Sequence, residues 1–123
     1  MEYSTLKALD KIRKRPGMYI GEVTLENMMA YLSGYWMAME EIGAKDIDAP
    51  GFDGFYDWAA KECGGRNAPY GWANMILAVS NGDDLEQVNW DGYSAKASRG
   101  QHSESVKLFY ELLDRYREQG ENA

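Results

Sequence analysis

At 123 residues, with 45% hydrophobic and 13% aromatic side chains, the chain is long enough for a single domain with a core of its own and too apolar to stay disordered throughout. A formal charge of −7 sets it against the phosphate backbone of nucleic acids, which proteins grip with Lys and Arg, and favours a basic partner. No run approaches the roughly 18 consecutive apolar residues of a membrane span, and Cys63, the only cysteine, closes no internal disulfide.

Along the chain, Tyr3, Leu6, Leu9 and Ile12 recur every three residues and predict a short amphipathic helix over residues 3–14. Pro16-Gly17 should end it, because proline disfavours helix at the residue before it. From Thr24, which suits an N-cap, the stripe Leu25, Met28, Met29, Leu32, Tyr35, Trp36, Met39 and Ile42 predicts a long helix up to Gly43. Residues 44–54, with Pro50, Gly51 and Gly54 among aspartates, read as a loop. Phe55, Tyr56, Ala59 and Cys63 mark a third helix stopped at Gly64-Gly65, and Trp72, Met75, Ile76 and Val79 a fourth ending near Asn81-Gly82. Residues 83–102 are read as mostly irregular, and a last helix from Ser103 or Ser105 carries Val106, Phe109, Leu112, Leu113 and Tyr116. The expected architecture is an all-α, single-domain bundle of about five helices, with a helix-break-helix at Pro16–Gly21.

The run Arg13-Lys14-Arg15-Pro16-Gly17-Met18-Tyr19-Ile20-Gly21 resembles the segment that opens the ATPase domain of DNA gyrase and other type II topoisomerases. In that family a following helix carries the Glu that activates water and the Asn that holds magnesium. Here Tyr31 and Tyr35 fall at or near those positions, and a phenol replaces neither group. The Asp-x-Gly-x-Gly motif and lid glycines are missing as well, so ATPase activity is not expected. The chain is also similar to short bacterial proteins that combine such a peptide with a central Gly-Trp, here Gly71-Trp72, and a final aromatic-rich helix, here Phe109 to Tyr116. For the peptide itself, a structural use is expected, with Met18, Tyr19 and Ile20 turned inward between Gly17 and Gly21. The alternative gives Arg13, Lys14 and Arg15 a phosphate to hold.

No residue pattern points to catalysis, and no cofactor or metal site is expected. His102 lies in a polar stretch away from metal-ligand spacing, and Cys63 on an apolar stripe reads as a structural thiol. Trp58, Tyr70, Trp90 and Tyr93 lie off the stripes among Asp46, Asp48, Asp53, Asp57, Asp83, Asp84 and Asp91. Aromatics of this kind anchor protein interfaces, and acids around them steer a cationic partner. The expected function is that of an immunity protein or antitoxin covering the basic active face of a toxin or nuclease domain. The N-terminus lacks the basic-then-apolar pattern of a secretory signal, so a cytoplasmic location is expected. The alternatives are a nucleotide-linked module built on the gyrase-like peptide and a structural adaptor.

Overall fold

A computed structural model describes residues 4–45, 47, 52, 54–64 and 71–122. Among them there are seven helices and no strand, and no helix is long and apolar enough to cross a membrane. The helices are α1 (Thr5–Lys14), α2 (Pro16–Ile20), α3 (Leu25–Glu41), α4 (Phe55–Glu62), α5 (Trp72–Asn81), α6 (Tyr93–Lys96) and α7 (Arg99–Asn122). The all-α expectation stands, and the two helices beyond the expected five are the short α2 and α6. The chain divides into two compact units, one of Met1–Val23 with Asn27–Asp53 and one of Thr24–Glu26 with Gly54–Ala123.

In the first unit, α1 starts where Ser4 caps it: the side-chain oxygen accepts from the Lys7 backbone N–H at 3.0 Å. Ala8, Leu9 and Ile12 are buried on its apolar side. Lys11, Arg13 and Lys14 fall in its last turn, where the negative end of the helix dipole favours cations. Pro16 does break α1, but the chain does not then leave helical geometry. Proline at the first helical position costs no hydrogen bond and has its φ already set, so Pro16 opens α2, which Gly21 closes at φ 71°. The inward turn expected of Met18-Tyr19-Ile20 holds for Ile20 alone. Met18 is 69% exposed, and Tyr19 is half-buried with its ring edge-on to Tyr31, 6.3 Å between centroids. Asn27 joins α3 to the chain after α2 by donating to the carbonyls of Ile20 and Glu22, both at 3.1 Å.

Two further bonds tie α3 to the start of α1. The Tyr35 hydroxyl donates to the Ser4 carbonyl at 3.3 Å, and the Trp36 indole N–H donates to the Thr5 hydroxyl at 2.8 Å. Thr5 is fully buried, so that hydroxyl is an acceptor water cannot replace. Thr5→Val keeps the shape, leaves the indole N–H without its partner, and is expected to cost about 1–3 kcal/mol, measured by urea unfolding. A loss matched by Trp36→Phe, with no further loss in the double variant, would assign the cost to this bond. At its far end α3 departs from the stripe read in the sequence: Ile42 lies one residue past the helix and is 62% exposed.

The second unit is organised around α7. Its first turn is set by a reciprocal capping box, in which the Gln101 N–H donates to the Ser98 side chain at 3.1 Å and the Ser98 N–H to the Gln101 side chain at 2.8 Å. The helix therefore begins at Arg99, ahead of the expected Ser103 or Ser105. Its buried stripe runs Ser105, Val106, Phe109, Tyr110, Leu112 and Leu113, and α7 packs on both α5 and α4. Phe109 is fully buried, with its centroid 5.1 Å from Trp72, 5.5 Å from Phe55 and 5.2 Å from Tyr110. These edge-on and stacked arrangements suit the ring quadrupoles. Cys63 follows α4 as its C-cap and is half-buried. Burial pushes its thiol up from the ordinary range, against the nearby Arg115, so thiolate character is suppressed.

Candidate functional site

The chain leaves α5 through a left-handed Gly82, φ 78°. Its N–H bonds the Val79 carbonyl at 3.0 Å, and the next N–H, from Asp83, bonds the Ala78 carbonyl at 3.0 Å. This is the Schellman closure, and the φ it needs is one that residues with a Cβ avoid. Two side-chain turns then shape the loop. The Asp84 carboxylate accepts from the Glu86 N–H at 3.0 Å, and the Asn89 side-chain oxygen accepts from the Asp91 N–H at 3.1 Å. The Trp90 carbonyl accepts from the Tyr93 N–H, where α6 begins.

The loop is held from within by Tyr93. Its hydroxyl donates to the Asp83 carboxylate and accepts from the Asn81 side-chain amide at 3.0 Å, linking the end of α5 to the start of α6. Burial first, and then the Asp83 carboxylate, push the Tyr93 phenol above its usual 10.0. The neutral phenol is the form that makes this bond, so the stabilisation is complete below pH 10 and is lost as pH rises through the raised value. The Trp90 ring stands edge-on to Tyr93 at 5.5 Å. Next in α6, Ser94 donates to the Glu26 carboxylate at 2.6 Å, and its carbonyl lies 3.0 Å from the His102 ring nitrogen.

Asp83, Asp84, Glu86 and Asp91 are all exposed, and the sequence from residue 67 to residue 95 carries no Lys or Arg. The result is an acidic loop whose backbone is fixed by its own side chains, with the Trp90 and Tyr93 rings in it and the Lys96 side chain beside Gly92 at its end. Comparison with family models, with curated proteins and with solved structures finds no match. The assignment of a site therefore rests on geometry.

Of the residues expected to meet a partner, Asp83, Asp84, Trp90 and Tyr93 come together in this loop. Asp57 is exposed in the first turn of α4, where a carboxylate also complements the helix dipole. Trp58 is not the free anchor expected of it. Its indole N–H donates to Gln119 at 2.8 Å and its ring packs against Phe55 and Tyr116, at 6.3 and 5.4 Å, so its off-stripe position serves the α4–α7 contact. Asp46, Asp48, Asp53 and Tyr70 lie outside the described residues. The residues that sequence reasoning missed are Glu86, Asn81 and Glu26. Glu86 was legible as a further acid in the cation-free stretch, while Asn81 and Glu26 enter only through folding.

The cationic segment shows a different correction. A surface groove of about 190 Å³ is lined by Lys11, Lys14, Arg15, Met18 and Tyr19. Of Arg13, Lys14 and Arg15, expected together on a phosphate, Arg13 is not in the lining. Residues three and four apart share a helix face whereas residues two apart do not, so Lys11 takes the place that sequence adjacency had given to Arg13.

Proposed function

We propose that the chain is a binding protein, without catalysis of its own, that takes a basic protein partner in the cytoplasm through the loop from Gly82 to Tyr93. Immunity proteins and antitoxins act this way when they cover the active face of a toxin or nuclease domain. The observation that carries the reading is the coincidence, in one fixed loop, of four exposed carboxylates, in a stretch without Lys or Arg until Lys96 comes up beside Gly92, with the Trp90–Tyr93 ring pair. Carboxylates of this kind raise the encounter rate with a cation-rich surface. A large ring beside them supplies the area that holds the complex once formed.

The loop's rigidity supports the same reading. A backbone already held by the side chains of Tyr93, Asp84 and Asn89 loses little freedom on association, which removes part of the entropic cost of binding. The test is affinity capture from the native host with low-salt and moderate-salt washes, using the unaltered chain and a Glu86→Lys/Asp91→Lys variant. A stoichiometric basic protein is expected with the first and depleted with the second. Recovery of no basic protein, or equal recovery by both chains, would overturn the assignment of this loop.

A further inference from the structure

The groove between the end of α1 and α2 has the features of an anion site. Lys11, Lys14 and Arg15 are all exposed, line one concavity, and pair with no carboxylate among the described residues. Three cations gathered this closely repel one another. The negative end of α1 offsets part of that repulsion. A multiply charged anion seated among them would offset it further.

We propose that this groove binds a polyphosphate chain. At about 190 Å³ the groove is smaller than the roughly 300 Å³ at which pockets begin to enclose a whole drug-sized ligand, a size that suits a short run of phosphates. The arginine supplies a planar, two-pronged donor and the lysines supply point charges, a mixture suited to adjacent phosphate groups. Beyond the cations the wall changes character. Met18 is 69% exposed, and the Tyr19 ring is braced edge-on by Tyr31, so an apolar or aromatic body attached to the phosphates would find a surface there. The shared chemistry is a run of phosphates, whose source is either a nucleoside triphosphate or an inorganic polyphosphate.

Calorimetric titration of the full chain with ATP and with tripolyphosphate tests this directly. One-to-one binding of at least one anion is expected, weakening about tenfold in Lys11→Ala/Lys14→Ala and weakening also as salt is raised. Alanine is the best helix former and both lysines are exposed, so the melting temperature of that variant should hold. Arg13→Ala removes a charge from the same helix outside the groove and should leave affinity nearly unchanged. Tighter binding of ATP, lost in Tyr19→Leu, would assign the nucleotide; equal affinities would assign the inorganic chain. Absence of binding by both anions at millimolar concentration, or an Arg13→Ala loss as large as that of the lysine pair, would overturn the site. Because no residue of the acidic loop is involved, either result leaves the partner reading standing or falling on its own test.

Discussion

Phe109→Ala should be the most damaging single truncation in the protein, lowering stability by about 3–5 kcal/mol, as deletion of fully buried rings does when their surroundings relax only in part. The position is on the buried stripe of α7, and the side chain touches Trp72 at the start of α5, Phe55 at the start of α4 and Tyr110 on its own helix. A chain of 123 residues has in all roughly 6–18 kcal/mol to lose, at 0.05–0.15 kcal/mol per residue, so one side chain would remove a large fraction. At roughly 4 °C per kcal/mol for a chain of this size, the melting temperature should fall by about 12–20 °C. Phe109→Leu, which keeps most of the volume and loses only the ring contacts, should cost less than half as much. A loss below about 1.5 kcal/mol for the alanine variant would show that the aromatic cluster does not pack as a unit.

That cluster also marks where the sequence was informative. Helices α3, α5 and α7 were legible because each carries its buried residues three and four apart over several turns, a pattern few other structures impose. The beginning of α7 was obscured because Ser98, Arg99 and Gly100 carry turn composition, while the feature that starts the helix is the pairing of Ser98 with Gln101 across three residues. Helix α2 was hidden by reading Pro16 only as a terminator, although proline is also a favoured first residue of a helix. Helix α6, at four residues, is too short to show a period at all.

The candidate site was legible to a different degree. Asn81-Gly82 announced the end of α5, and Asp83, Asp84, Trp90 and Tyr93 could be named from acidity and from their distance from the apolar stripes. What the sequence did not carry is what each off-stripe aromatic packs against. Trp58 and Trp90 look alike in sequence. Trp58 is occupied by Gln119, 61 residues further along, whereas Trp90 meets Tyr93 three residues away. The use made of Trp58 depends on how α4 and α7 pack, and no local pattern encodes that. The same holds for Arg13, whose neighbours in sequence are not its neighbours on the helix surface.

If the acidic loop is the docking surface, its charges and its ring should leave different kinetic signatures on the complex. Glu86→Lys/Asp91→Lys turns four acidic residues into two of each sign. It leaves intact the groups that shape the loop, since Asp84 and Asn89 still cap their turns and Asp83 still meets Tyr93. Steering contributes on the order of 10- to 1,000-fold to association rates in charged pairs. The double reversal should therefore slow association with a basic partner about tenfold or more at low salt and flatten the dependence of that rate on ionic strength. Dissociation should change much less. Trp90→Ala should do the reverse: association nearly unchanged, and dissociation faster by roughly 30-fold if the ring contributes the 2 kcal/mol typical of an interface anchor. Surface plasmon resonance over a salt series separates the two. Equal effects of the charge reversal on both rates would point to a damaged loop and not to lost steering, and an unchanged dissociation rate in Trp90→Ala would leave the ring outside the interface.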